Sequence, residues 1–228
     1  MIKGFKSCLR YFLFPIKLRN MHHWSSESKY QKENLKEVLS PNNPNKIVFM
    51  GDSITEFWST INPDFFEGKP YINRGISGQT TPQMVARFKA DVIALQPKIV
   101  VLLAGINDIA GNTGPSTLTM ITDNLFAMAE IARTNGIRVI LCAVLPAFDF
   151  PWRPNQHPIP KIIALNQSIY AYAKTNQIEY VDYYSAMVNE QKGLQAHFSN
   201  DGVHPNTKGY RVMEPLVEKA ITRVLELN

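Results

Sequence analysis

The sequence of 228 residues predicts one three-layer α/β/α domain with a parallel β-sheet. Short apolar runs rich in β-branched residues recur along the chain and alternate with longer helical segments. Each intervening segment is long enough for the crossover connection that parallel strands require. Repeated alternation of strand and helix is typical of sheets that carry helices on both faces.

Five runs have the length and composition of buried strands, and each is bounded by Gly, Pro, Asn or Asp close to its ends. The predicted strands are residues 46–50, 71–73, 98–104, 137–145 and 178–182. Several are almost continuously apolar, as parallel strands buried on both faces tend to be. The predicted helices are residues 28–39, 81–95, 117–135, 160–176 and 206–225.

Capping residues define several helix ends. Thr81 and Pro82 predict the N-cap and first residue of the second helix. Gly136 predicts the C′ position of the third helix. Asn206 predicts the cap of the last helix, which Pro215 is expected to kink.

The charge of the chain does not indicate a nucleic-acid partner. Five of the 24 basic residues precede the first acidic residue, Glu27, so the remainder has 19 basic and 19 acidic residues. A protein that binds nucleic acid needs a basic stripe on its fold, and none is visible. The longest apolar runs are also too short to span a membrane.

Residues 1–23 are predicted to be a basic extension that precedes the α/β domain at 24–228. The apolar run at 11–16 is shorter than that of an export signal and has no small-residue cleavage site. We therefore expect the segment to be retained, which favours a cytoplasmic location. Export, or contact of residues 1–22 with an anionic membrane surface, is the alternative.

Ser53 is the first candidate catalytic residue. It follows Gly51-Asp52 at the end of the first predicted strand, where open α/β sheets bind ligands. A serine hydroxyl is a weak nucleophile and requires an adjacent base. The alternative is that Asp52 and Ser53 only cap the next helix.

Asp201 and His204 can supply that base. They lie three residues apart in a turn-rich segment, so the carboxylate can accept from imidazole Nδ1 and leave Nε2 to deprotonate a serine. The alternative is a turn in which Asp201 only caps backbone amides.

Gly78 and Asn107 follow the second and third predicted strands at the same sheet edge as Ser53. A glycine amide and an asparagine NH₂ group are suited to stabilising the oxyanion of acyl transfer. A turn with positive φ at Gly78 and an Asx-turn at Asn107 are the alternatives. Asp108 is interpreted as a structural residue that holds the Asn107 turn.

The order of these blocks resembles the SGNH (GDSL-type) hydrolases over the chain from about Trp24 onward. The blocks are Gly51-Asp52-Ser53, Gly78, Gly105-x-Asn107-Asp108 and Asp201-x-x-His204. The chain departs from a literal Gly-Asp-Ser-Leu only at Ile54, which is an apolar exchange.

The resemblance implies a flavodoxin-like sandwich with sheet order 2-1-3-4-5. It implies Ser53 as the nucleophile, His204 as the general base and acid, and Asp201 as the residue that orients His204. It also implies an oxyanion hole of the Ser53 and Gly78 amides with the Asn107 side chain.

We expect a hydrolase of carboxylic esters with short acyl groups, such as O-acetyl esters of sugars. The resemblance also implies lysophospholipids and acyl thioesters as candidates. Trp58, Phe150 and Trp152 are predicted to line the substrate pocket, since loops at this edge carry function. The alternative is that these aromatic residues only cover the sheet edge.

No motif for a cofactor or metal is present, and we predict none. Gly75-x-x-Gly78 is too short for a dinucleotide fingerprint, and the histidines lack the spacing of zinc ligands. An inactive carbohydrate-binding module on the same fold is an alternative of another class, and a flavodoxin-like nucleotide binder is a third. The sequence does not indicate an oligomeric state.

Overall fold

The strands of the described residues, 29–40 and 43–226 in this computed structural model, form one parallel sheet. They are β1 (Ile47–Gly51), β2 (Tyr71–Gly75), β3 (Ile99–Leu103), β4 (Arg138–Cys142) and β5 (Glu179–Val181). The order across the sheet is β2-β1-β3-β4-β5. The expected fold class and strand order are therefore confirmed.

The helices confirm the predicted alternation. They are α1 (Gln31–Leu39), α2 (Ser53–Ile61), α3 (Thr81–Asp91), α4 (Ile106–Ala110), α5 (Leu118–Thr134), α6 (Pro158–Thr175), α7 (Tyr183–Met187) and α8 (Thr207–Glu226). In the described part of the chain, three 3₁₀ turns occupy Pro63–Phe65, Ile93–Leu95 and Ala196–Phe198. The predicted helix to residue 95 thus ends as α3 at Asp91, and its last part is a separate 3₁₀ turn.

The start of α3 differs by one residue from the prediction. Thr80, not Thr81, is the N-cap, and it forms a capping box with Gln83. The Thr80 amide donates to Gln83 Oε1 at 3.0 Å. Pro82 still lies in the first turn, where its missing N–H has no cost.

The predicted ends of α5 and α8 are confirmed. Gly136 follows the C-cap of α5 with φ +74°. Asn206 Oδ1 accepts from the amides of Lys208 at 2.9 Å and Gly209 at 3.1 Å, which caps α8. The helix is continuous through Pro215.

Helices cover both faces of the sheet. On one face α2 packs against α8, where Asn62 Nδ2 donates to Glu214 Oε1 at 2.8 Å. On the other face α3, α5 and α6 lie side by side, and α1 packs against α3. Every residue of β1 and β3 is buried, as expected for the central strands of a parallel sheet.

Trp58 belongs to the core and not to a substrate pocket, so that prediction is wrong. Its ring is 2% exposed and stacks on Phe65 at 4.8 Å and on Tyr210 at 5.3 Å. Phe49 meets the Trp58 ring edge-on at 5.9 Å. The helical spacing places Trp58 on the face of α2 that is turned to Phe49 of the sheet and Tyr210 of α8.

Residues 1–28 lie outside the described part of the chain. The extension at 1–23 and the domain boundary at residue 24 therefore stay predictions. Among the described residues, no helix has the length and apolar composition to cross a bilayer.

Replacing Trp58 with Ala should lower the free energy of unfolding by about 3–5 kcal/mol, because a large buried ring leaves a cavity. Trp152→Ala is the matched control, since this side chain is 43% exposed and should cost no more than about 1 kcal/mol. Urea unfolding of both variants measures the difference. Equal losses would contradict the assignment of Trp58 to the core.

Candidate active site

Three strands end at the same level of the sheet. Gly51 at the end of β1 pairs with Gly75 of β2 and Leu103 of β3. The segments that carry Ser53, Gly78 and Asn107 leave these three strands. The structure therefore places all three residues at one sheet edge, as the sequence predicts.

Ser53 lies in the first turn of α2, directly after β1. A side chain at Gly51 would place its Cβ 2.1 Å from Thr55 Oγ1, so only glycine permits this tight connection. Asp52 is the N-cap, and its Oδ1 accepts from the Ile54 amide at 3.0 Å. Capping is thus performed by Asp52, which leaves the Ser53 hydroxyl to another partner.

That partner is His204, which lies 151 residues later in the chain. Ser53 Oγ lies 2.9 Å from His204 Nε2, and His204 Nδ1 lies 2.6 Å from Asp201 Oδ2. A carboxylate beside Nδ1 favours the tautomer with its proton there, and Nε2 can then accept from the serine. The three side chains form one hydrogen-bonded line.

Asp201 both caps backbone amides and contacts the His204 imidazole, which are the two alternatives that the sequence leaves open. Its Oδ1 accepts from the amides of Val203 at 2.9 Å and His204 at 2.8 Å, while Oδ2 faces the imidazole. Partial burial alone would raise the pKa of Asp201, but the hydrogen bonds, first that with the His204 side chain, outweigh it and lower the pKa to about 2. The carboxylate is therefore ionised at neutral pH.

Asn112 links Gly78 and Asn107, since its side-chain NH₂ group donates to both. Gly78 has φ +76°, and Asn107 is 2% exposed. Asn107 Nδ2 donates to Gln79 O at 3.1 Å, and Asn107 Oδ1 accepts from Asn112 Nδ2 at 2.8 Å. A primary amide has two N–H groups, so one N–H of Asn107 can serve an oxyanion.

Asp108 is a structural residue, and its carboxylate reaches beyond the Asn107 turn. Its carboxylate accepts from the Thr81 amide at 2.9 Å and from Thr81 Oγ1 at 2.7 Å, so it anchors the start of α3. Burial raises the pKa of Asp108 to about 6, although the Thr81 hydrogen bonds oppose this.

Two aromatic rings lie close to the imidazole of His204. The ring centroid of Phe57 is 5.5 Å away and that of Trp152 is 5.7 Å away. Trp152 is 43% exposed, so it presents surface beside the site.

Phe150 lies beneath Trp152, with ring centroids 5.3 Å apart, and has no exposed surface. The segment 148–151 and Asp201 border a cavity of about 300 Å³. The roles of Phe150 and Trp152 in substrate binding stay predictions.

Sequence reasoning did not identify Asn112 or Glu56. Glu56 Oε2 accepts from the Ser77 amide at 2.5 Å and from Ser77 Oγ at 2.6 Å, which holds the loop before Gly78. Neither residue belongs to a recognisable motif. The only signal was the position of Asn112, between Gly111 and a turn-rich stretch five residues after Asn107.

A buried ion pair supports the same edge. Arg87 on α3 pairs with Asp91 at 2.7 Å, and both are almost completely buried. Arg87 also donates to Gly51 O at 3.0 Å and to Gln79 Oε1 at 2.6 Å. One guanidinium thus ties the end of β1 to the residue after Gly78.

Fold and side-chain geometry together are typical of a serine ester hydrolase. The model of the GDSL-like lipase/acylhydrolase family matches residues 49–212, and the chain belongs to this family. The predicted class, a carboxylic ester hydrolase, is the class of that family.

Solved structures of related proteins have the same fold over nearly the whole domain. A candidate acylhydrolase from Bacteroides fragilis is 45% identical with a TM-score of 0.86, covering 89% of this chain and 99% of that one. A GDSL-like lipase from Bacteroides thetaiotaomicron is 43% identical with a TM-score of 0.83, covering 88% and 98%.

A curated relative has a named activity. The acetylxylan esterase of Xylanibacter ruminicola is 25% identical over 174 residues, which are 65% of this chain and 35% of that protein. The chain therefore spans about a third of the length of this relative.

Asp52→Asn should change how stability depends on pH. Burial raises the pKa of Asp52 to about 7 in the folded protein, from an ordinary value of 3.8. A raised carboxyl pKa stabilises the fold fully below pH 3.8, and this contribution is lost as the pH rises through about 7. Asparagine keeps the cap without the charge.

We therefore expect the wild type to lose stability relative to Asp52→Asn between pH 4 and about 7.5. Urea unfolding at unit pH steps measures this. Asp64→Asn is the matched control, because the Asp64 side chain is 76% exposed, and it should leave the slope unchanged. Parallel curves for wild type and Asp52→Asn would contradict a buried, protonated Asp52.

Proposed function

We propose that this chain hydrolyses carboxylic esters through an acyl-enzyme formed on Ser53. The observation that supports this most directly is the hydrogen-bonded line from Ser53 Oγ through His204 to Asp201, with distances of 2.9 Å and 2.6 Å. The family supports the reaction class, and the residue roles follow from the chemistry of this line.

In the first step Ser53 Oγ attacks the ester carbonyl carbon while His204 Nε2 takes the hydroxyl proton. The carbonyl π electrons move to oxygen, which gives a tetrahedral intermediate. The imidazolium that forms lies against an ionised Asp201, whose charge stabilises it.

The oxyanion has three proposed donors. The Ser53 amide lies in the first turn of α2 and has no partner within that helix. The Gly78 amide and the second N–H of Asn107 complete the set. Donors held in place by the fold stabilise charge that appears only in the transition state.

The intermediate collapses when the bond from carbon to the alcohol oxygen breaks and His204 returns its proton to that oxygen. Water then attacks the acyl-enzyme, with His204 again accepting a proton and later donating it to Ser53 Oγ. The products are the alcohol and the carboxylic acid, and the enzyme is regenerated.

We propose short acyl groups, with O-acetyl esters of sugars as the substrate class. Trp152 presents a half-exposed ring next to His204, and such a ring can stack on a sugar. The relative from Xylanibacter ruminicola is an acetylxylan esterase. The chain also lacks a long apolar segment that could serve as a lid over a fatty acyl chain.

Ser53→Ala and His204→Ala should each lower kcat for p-nitrophenyl acetate by about 10⁴–10⁶, and the double variant should be little worse, because residues of a triad act as a unit. Ser53→Ala should also lose labelling by a fluorophosphonate probe. His197→Ala is the matched control, since His197 is exposed and outside the site. A wild type that neither turns over ester nor takes up the probe would refute the proposed function.

An acyl-length series tests the substrate class. We expect kcat/KM to fall at least about tenfold from p-nitrophenyl acetate to the octanoate, because a small acyl slot rejects added methylenes. Acetylated xylan should release acetate. Preference for octanoate, or faster release of fatty acid from lysophosphatidylcholine, would instead favour a lysophospholipase, and preference for an acyl thioester would favour a thioesterase.

A further inference from the structure

We propose that Asn112 is a positioning residue that fixes the oxyanion donors and connects them to Trp152. This inference rests on the proposed function. Asn112 lies outside the blocks by which the chain resembles its family. Its side-chain amide nevertheless contacts both Asn107 and Gly78, and accepts from the exposed indole beside His204.

The first contact decides which end of the Asn107 amide faces the substrate. Asn112 Nδ2 donates to Asn107 Oδ1 at 2.8 Å. A flipped Asn107 would turn its NH₂ group toward the NH₂ group of Asn112, and two donors cannot bond. Asn112 therefore keeps Asn107 Oδ1 occupied and leaves the Nδ2 end for Gln79 O and the oxyanion.

The second contact holds Gly78. Asn112 Nδ2 also donates to Gly78 O at 3.2 Å. Gly78 has φ +76°, and a Cβ there would meet only Asn112 Nδ2, at 4.0 Å. This hydrogen bond holds the carbonyl of the peptide that joins Gly78 to Gln79, together with the bond from the Gln79 amide to Ile76 O at 3.3 Å. Asn112 thus restrains the backbone directly next to the Gly78 N–H.

The third contact fixes Asn112 itself. Trp152 Nε1 donates to Asn112 Oδ1 at 3.1 Å. The indole has only a donor, so it selects the oxygen end of the amide and leaves the NH₂ end for Asn107 and Gly78. Each hydrogen bond from Trp152 through Asn112 to Asn107 therefore pairs one donor with one acceptor.

The backbone turn at the end of α4 places Asn112 in this position. Gly111 ends α4 with φ +72°, and the Asn112 amide donates back to Asn107 O at 3.0 Å. Thr113 Oγ1 meets Thr80 Oγ1 at 3.1 Å, which ties the same turn to the start of α3. Asn112 is thus held by its neighbours before any substrate binds.

The experiment compares Asn112→Ala and Asn112→Asp with Asn107→Ala as the benchmark. Asn107→Ala should lower kcat by about 10²–10³. Asn112→Ala should lower kcat about tenfold with KM changed less than twofold, since misplaced donors affect mainly the transition state. Asn112→Asp should lose about 100-fold, because a carboxylate cannot donate and repels an oxyanion.

Two further readouts separate positioning from a merely structural role. Affinity for methylboronic acid, which forms a tetrahedral adduct on serine, should fall in parallel with kcat. Trp152→Phe keeps the ring but removes the N–H, so it should lower kcat about threefold in wild type and not at all in Asn112→Ala. Asn135→Ala, an exposed asparagine at the end of α5, is the control.

Rates are normalised to folded enzyme by titration with the fluorophosphonate, so loss of folded protein does not count as loss of kcat. Asn112 variants that keep kcat and boronate affinity within twofold, while Asn107→Ala is impaired, would overturn this inference alone. A tenfold rise in KM with unchanged kcat would overturn it too. An inactive, unlabelled wild type would refute the proposed function and this inference with it.

Discussion

The close approach of α2 to the end of the sheet is the constraint on which the site depends. A Cβ at Gly75 would lie 2.1 Å from the Glu56 amide, and one at Gly51 would lie 2.1 Å from Thr55 Oγ1. Two glycines, paired in register on neighbouring strands, thus let the first turn of α2 rest on the carboxyl edge. This contact puts the Ser53 hydroxyl within reach of His204, because a helix even one side chain further away would move its first turn outward.

Buried charge supports the edge at a cost. Arg87 and Asp91 form a nearly inaccessible pair, and a buried pair is weak support for stability because both ions lose their hydration. The benefit here is geometric: the same guanidinium binds Gly51 O and Gln79 Oε1, on two of the three segments that meet at the site. Loss of Arg87 would remove the direct ion-pair partner of the buried Asp91 carboxylate, which would keep only its hydrogen bond from Asn34 and the more distant charge of Arg74. The burial that raises the pKa of Asp52 and Asp108 belongs to the same dry edge.

Trp58 and Trp152 show how far local sequence determines the role of a residue. Both follow strands at the carboxyl edge, and the sequence predicts both as pocket residues. Trp58 lies on a helix whose periodicity turns it to the core, whereas Trp152 lies on a loop and stays 43% exposed. An aromatic residue that follows a strand can be buried or exposed, and the sequence pattern does not distinguish the two. Burial depends on the residue that packs against the ring, which for Trp58 is Tyr210 of α8.

The sequence by itself determined the alternation of strand and helix and the five strands, and it predicted Ser53, Gly78, Asn107, Asp201 and His204 as candidate site residues. These predictions depend on local propensity and on the order of short motifs, and both can be read directly from the amino-acid sequence. Only the tertiary structure decided that Asp108 anchors α3 and that Asn112 bridges Asn107 and Gly78. It also decided that Arg87 ties the end of β1 to Gln79. Such contacts join side chains whose separation in the chain carries no periodic signal, and their partners are selected by hydrogen-bond geometry that exists only once the sheet edge has formed.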